Sequence, residues 1–144
     1  MSVAPEASPG PARAVMRWII AAFYTWAGFA HLWVPDKLLS ITPSWVPFAP
    51  QVILLTGLFE IAASAALLTR PLRATAGIAM AVYAICVWPA NIKHAIDGIS
   101  LPPIPDSWFY HAPRLALQPV IVWWALFCSG VINWPWRRSG GSRQ

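Results

Sequence analysis

Glu60 is the side chain in this sequence with the strongest claim to chemistry. It stands inside the apolar run VILLTGLFEIAASAALLT. A charge in the middle of a membrane-length apolar segment costs about 3 kcal/mol or more, so such a group usually has a partner or a task. A carboxyl held there can accept or release a proton, or hold a polar ligand. Four further polar side chains occupy comparable apolar surroundings: His31, Asn91, Arg114 and Gln118. An imidazole relays protons near neutral pH. Asn91 and Gln118 offer amide donors and acceptors, and Arg114 offers a fixed positive charge that would set the local potential. Read together, the five are candidate ligand-binding residues, with Glu60 the candidate acid–base. Plainer readings stand beside this one. His31 is equally an interfacial histidine, and Asn91 and Gln118 are equally hydrogen bonds between helices. Arg114 is equally an anchor in the headgroups.

Spacing assigns these residues to faces. Thr56, Gly57 and Ser64 share the helical face of Glu60, by the rule that residues three and four apart lie on one side. That face is expected to point inward. Arg17, Tyr24, Gly28 and His31 form a second stripe, with Arg17 reaching the headgroups. Pro89 leaves the Ile85 carbonyl without its usual donor, and Asn91 follows closely enough to satisfy a freed group. Arg114 and Gln118 are one turn apart, Pro119 frees the Leu115 carbonyl, and Ser129 and Asn133 extend the stripe. Arg114 and Gln118 are expected to point toward Glu60. Their span places Arg114 about nine residues of rise, or about 13 Å, from Glu60, which disfavours a direct ion pair.

The elements that must position these residues follow from composition. The chain has 144 residues, 58% of them hydrophobic and 10% charged, with ten Trp. A soluble domain carries about 25% charged residues. That balance excludes a disordered chain, a nucleic-acid module and an ordinary cytosolic enzyme. A helix rises about 1.5 Å per residue and must cross about 30 Å of hydrocarbon, so a span needs about 20 residues. Four stretches qualify, at 14–34, 52–69, 74–92 and 114–134. The alternation of a barrel strand is absent from the sequence. The expectation is an all-α polytopic membrane protein, a four-transmembrane-helix bundle over 14–136. A disordered cytoplasmic tail is expected over 1–13 and a polar cytoplasmic tail over 137–144. The first apolar run is read as a retained span, because it is long and contains His31. The connections at 35–51 and 93–113 are rich in Pro and Trp and are expected to be loops that roof the bundle, while 70–73 is a tight basic turn.

Seven of the ten Lys and Arg fall on one side of this frame: Arg13, Arg17, Arg70, Arg73, Arg137, Arg138 and Arg143. Lys37, Lys93 and Arg114 fall on the other. Positive charge marks the cytoplasmic side, so both termini are expected in the cytoplasm and both Pro/Trp-rich loops outside. Trp18, Trp134 and Trp136 then mark an inner aromatic belt, and Trp33, Trp45, Trp88 and Trp108 an outer one. Cys86 and Cys128 lie at depths of about 18 and 9 Å from the inner boundary, too far apart to pair, and both read as small core residues. No zinc-ligand spacing, GxSxG, P-loop or GxGxxG is present. His94 and His111 flank the outer loop and with His31 are the remaining metal or haem candidates, without a spacing motif to support them. Haem is disfavoured and no metal site is expected. Gly77 and Ala81 form a small-xxx-small pair suited to close helix packing.

The segments AGFAHLWVPDKL, PSWVPFAP, TGLFEIAASAALL, VWPANIKHA and RLALQPVIVWWA together resemble the DoxX-like family of bacterial four-helix membrane proteins. The resemblance covers 28–118. It implies an integral, multi-pass protein of the bacterial inner membrane, and links through DoxX and DoxD to membrane redox chemistry, including thiosulfate oxidation coupled to quinone. It also implies that His31, Glu60, Asn91, Arg114 and Gln118 form the polar core. No redox centre is evident in the chain itself, so the leading expectation is a small accessory or quinone- or lipid-binding subunit rather than an enzyme acting alone. One alternative is a non-catalytic assembly factor or chaperone for a membrane partner, working through the surface around Trp45 and Trp108–Tyr110. That alternative draws on a distant resemblance to eukaryotic receptor-assembly chaperones. A second is a small proton-linked transporter with Glu60 as relay. The expected partners are the bilayer, a membrane protein or a second copy of the chain, and no nucleic acid.

Overall fold

The computed structural model describes residues 10–135. The readings for 1–9 and 136–144, including Trp136, Arg137, Arg138 and Arg143, lie outside the described residues. Among the described residues five α-helices follow one another: α1 Pro11–Trp33, α2 Pro35–Ile41, α3 Ala49–Leu68, α4 Arg73–Ile96 and α5 Trp108–Ser129. A single 3-10 turn, Arg70–Leu72, joins α3 to α4. Among the described residues the only extended pairing is an isolated bridge between Leu101 and Ile104.

Proline punctuates the chain in ways that depend on position. A proline in the first turn loses no helical hydrogen bond, because its missing N–H would have had no partner. Pro11, Pro35 and Pro50 all sit in first turns. Two expectations change as a result. α1 begins at Pro11, inside the stretch read as a tail, and 35–51 is not all loop, because Pro35 starts α2. Asp36 in the first turn of α2 complements the helix dipole. Prolines also stand inside helices. α4 runs through Pro89 to Ile96, and α5 runs through Pro113 and Pro119. α5 starts six residues earlier than expected because Ser107 caps it, accepting from the Phe109 N–H at 3.2 Å. It stops at Gly130 rather than near Trp134. Gly130 has φ 87°, the left-handed conformation that ends helices, and its N–H bonds back to Phe127.

The four long helices pack in a ring, α1 against α3, α3 against α4, α4 against α5 and α5 back against α1. Two sides close through small residues. A Cβ on Gly28 would lie 2.7 Å from the Gly57 carbonyl oxygen, and one on Gly57 would lie 2.7 Å from His31 Cβ. Only glycine lets α1 and α3 approach so far. Gly77 similarly receives Ser129 and brings α4 onto α5. The apolar core fills one end of the ring, around Ile20, Leu67, Met80 and Ala125. Arg17, expected to reach outward, is buried at that end and its Nε donates to the Cys128 carbonyl at 2.9 Å. A carbonyl at the end of α5 carries partial negative charge, so the guanidinium serves as a cap there. Cys86, expected in the core, is exposed, while Cys128 is buried.

Apolar side chains also cover the outside. Trp18, Phe23, Leu55, Ile78, Val82 and Leu117 are all exposed, and each long helix contributes to this surface. Two segments are long and apolar enough to cross a membrane by length and composition, Ala49–Leu68 and Arg70–Ile96, with mean hydropathies of 1.8 and 1.5.

Candidate functional site

The end of the ring opposite the apolar core holds a cavity of about 300 Å³. His31, Glu60, Asn91, Arg114 and Gln118 all line it. Every helix contributes to the wall: the four long helices bring polar side chains to it where the apolar core stops, and α2 adds Leu38 and Ile41.

The first cluster is built on the glycine contact. With Gly28 and Gly57 touching, His31 on α1 lies one turn from Glu60 on α3. His31 Nδ1 lies 2.9 Å from the Ala27 carbonyl and 3.1 Å from Glu60 Oε2. Both neighbours are acceptors, so Nδ1 carries the hydrogen. That hydrogen is directed at Ala27, which leaves Glu60 Oε2 beside the imidazole but without an aligned donor. The other oxygen, Oε1, accepts from the Tyr83 hydroxyl at 2.7 Å. Glu60 is only 4% exposed. A buried carboxylate oxygen with an unused lone pair is costly to keep, about 1–3 kcal/mol. Gly57 and Ser64 are buried on the same face and Thr56 is half-buried. Ser64 donates to the Glu60 backbone carbonyl at 2.7 Å.

The second cluster joins α4 to α5. Gln118 Nε2 donates to the Ala84 carbonyl at 2.6 Å, and Gln118 Oε1 accepts from Asn91 at 3.4 Å. Pro89 loosens this part of α4 by removing one helical donor, and Gln118 supplies a donor to a carbonyl in the same turn. Arg114 Nη2 donates to the Asn91 carbonyl at 3.1 Å, and its Nη1 lies 3.0 Å from His94 Nδ1. Guanidinium only donates, so His94 Nδ1 is the acceptor and that ring carries its hydrogen on Nε2. Arg114 therefore pairs with His94 and Asn91 rather than with Glu60. Its Nε is buried without a partner. The Tyr110 ring lies 5.3 Å from the guanidinium carbon.

His94 and His111, read as flanking an outer loop, are instead 1% exposed. Their rings meet edge-on at 4.8 Å, and His111 Nε2 lies 3.4 Å from Asp106 Oδ1. They belong to helix ends that run past the expected span boundaries, which is why a loop assignment missed them. Tyr83 was also missed. Stepping back from Asn91 by four and four again gives Val87 and Tyr83, so the helical period held the signal. Among the described residues no group of three or more His, Cys, Asp and Glu is placed to hold a metal.

One connecting segment roofs the cavity and the other braces it. Leu38, Ile41 and Trp45 line the space, whereas the connection between α4 and α5 does not. Lys37 reaches that second connection at the Pro102 carbonyl, at 2.7 Å, and Lys93 reaches the Ser40 carbonyl at 3.1 Å. The expectation of two roofs is thus corrected to one roof fastened by lysines.

No curated protein and no solved structure matches the chain. The profile of one family, a domain of unknown function (DUF8561), matches residues 20–129. That stretch carries both polar clusters and most of all four long helices, and the chain belongs to the DUF8561 family.

Proposed function

We propose that the chain is a four-span protein of the bacterial inner membrane, related to the DoxX-like proteins, that holds a quinone in its polar cavity as an accessory subunit of membrane redox chemistry. The observation that carries this reading is Glu60, buried at the cavity wall with Oε2 lacking an aligned donor.

Support for the membrane setting is the apolar exterior of every long helix. α1 and α5 have 23 and 22 residues, enough to span. Their lower hydropathy comes from tryptophans, prolines and inward-facing polar groups rather than from a polar outer face. Trp18 and Trp134 are exposed at one end, and Trp33, Trp45 and Trp108 at the other, as two aromatic belts would require. The split of basic residues favours cytoplasmic termini.

Support for a quinone is the chemistry of the walls. A cavity of about 150 Å³ accommodates benzene, so 300 Å³ accommodates a substituted ring. Phe23, Val87 and Ile121 supply apolar wall. Arg114 has five N–H donors and Asn91 a second amide hydrogen, which suit a carbonyl oxygen. Glu60 Oε2 is an acceptor, which suits the hydroxyl of the reduced ring. A quinone held there would supply the redox chemistry, with Glu60 placed to exchange one of the ring's two hydroxyl protons. Tyr83 holds the carboxyl in place through its bond to Oε1, with the His31 ring beside Oε2.

Glu60→Gln keeps the shape but replaces the Oε2 acceptor with a donor. Wild type purified in mild detergent is expected to retain quinone in its organic extract. Glu60→Gln is expected to fold normally, or more stably, and to retain at least tenfold less. Equal retention by the two proteins would defeat the reading. A second reading, a membrane assembly factor, has its own observation. Phe109 is 96% exposed, and Phe48 projects from a left-handed backbone at φ 51° beside exposed Trp45. Full function of Glu60→Gln in cells would place that reading first.

A further inference from the structure

A second cavity, of about 520 Å³, lies along the seam between α1 and α5. Its walls are almost wholly apolar, with Ile19, Leu117, Val120 and Trp124 among them. Phe23, Arg114 and Ile121 belong to the walls of both this groove and the polar cavity. One layer of side chains therefore separates the two spaces, and Arg114 stands at the neck between them.

The four sides of the ring are not equally closed. Backbone contact at Gly28 and Gly57 locks α1 onto α3, and Gly77 receives Ser129 to lock α4 onto α5. The α1–α5 side is the most thinly packed. Its hydrogen bonds lie toward the apolar-core end, where Arg17 bonds Cys128 and Trp124 Nε1 donates to the Met16 carbonyl at 3.0 Å. Toward the polar cavity this side relies on apolar contact alone among the described residues. A seam stitched at one end and apolar at the other can admit a ring sideways without breaking a hydrogen bond between α1 and α5.

We infer that the ligand is a long-tailed amphiphile: the oxygenated ring lies in the polar cavity and the hydrocarbon tail lies in the α1–α5 groove. This rests on the quinone reading of the polar cavity and adds the tail, its path and the side of access. Apart from Arg114 and Tyr110 at one end and the Trp124 indole N–H, which is used on the Met16 carbonyl, the groove is apolar, so it matches a saturated or prenyl chain. An apolar tail in an apolar groove gains affinity with each buried methylene. The gain from a bilayer is smaller than from water and comes from shape.

The test compares ubiquinone-0, a ring without a tail, with decylubiquinone, which carries ten carbons. Each is titrated calorimetrically into nanodiscs of phosphatidylethanolamine and phosphatidylglycerol, with empty discs as blank. Leu117→Trp fills the groove from a position that is 52% exposed and does not line the polar cavity. It is expected to weaken decylubiquinone at least tenfold and to change ubiquinone-0 less than twofold. Val120→Trp is the second variant, and Leu55→Trp on the exposed face of α3 is the control that changes neither. If the groove variants bind decylubiquinone as wild type does, the groove inference is overturned and the ring site stands. If wild type binds neither probe, the ring reading fails and the tail site fails with it.

Discussion

Gly57→Ala tests whether α1 and α3 touch as the site requires. The added Cβ would lie 2.7 Å from His31 Cβ, 2.9 Å from the Gly28 carbonyl oxygen and 3.2 Å from Leu32 Cδ2. Carbon atoms rest at about 3.5–4.0 Å, so the helices must separate by roughly 0.8 Å. The same separation would carry His31 Nδ1 from 3.1 Å to nearly 4 Å from Glu60 Oε2. Overpacking of this kind costs about 1–3 kcal/mol. Alanine recovers up to about 1 kcal/mol through its helix propensity, which leaves a net loss of about 0–2 kcal/mol. Gly28→Ala presses on the same contact from the other side, with its Cβ 2.7 Å from the Gly57 carbonyl oxygen. Once one alanine has parted the helices the second costs less, so the pair should be sub-additive by at least about 0.5 kcal/mol. Denaturation by sodium dodecyl sulfate, followed by far-ultraviolet circular dichroism, measures all four corners of the cycle. A Gly57→Ala protein more stable than wild type would show propensity acting without a clash. That result would refute the contact on which the His31–Glu60 geometry depends.

Gln118→Leu removes the 2.6 Å bond to the Ala84 carbonyl and should lower stability by about 1 kcal/mol. Asn91→Ala should cost less in the same assay, because its contact with Gln118 is long at 3.4 Å. The topology reading expects a cysteine placed at Ser107 to react with an impermeant maleimide in intact cells. A cysteine at Ser142 should react only after lysis, and the reverse pattern would contradict cytoplasmic termini.

The sequence carried the helical class and the inward face of α3 because apolar length and period are local properties. Thr56, Gly57, Glu60 and Ser64 follow from spacing alone. Boundaries were harder, since a proline breaks a helix or begins one according to what precedes it. Pro35 starts α2 and Pro113 lies within α5, and the residue type is the same. Partners were harder still. That Arg114 meets His94 rather than Glu60 depends on α4 continuing to Ile96. Arg17 bonding Cys128 depends on where α5 stops. Both are facts about two helix ends meeting in space, which no single stretch of sequence contains. The Gly28–Gly57 contact lies between these cases. Each glycine stood on its polar stripe, and only their register across two helices shows that they touch.

Photoaffinity labelling in native membranes tests the quinone site most directly. An azido-ubiquinone is activated by light, and the labelled peptides are mapped by mass spectrometry. The account predicts saturable labelling in the segments that hold His31 and Tyr83–Asn91, competed by unlabelled decylubiquinone and lost in Glu60→Gln. Labelling confined to lipid-facing residues such as Leu55 and Val82, unaffected by competitor or by Glu60→Gln, would contradict it.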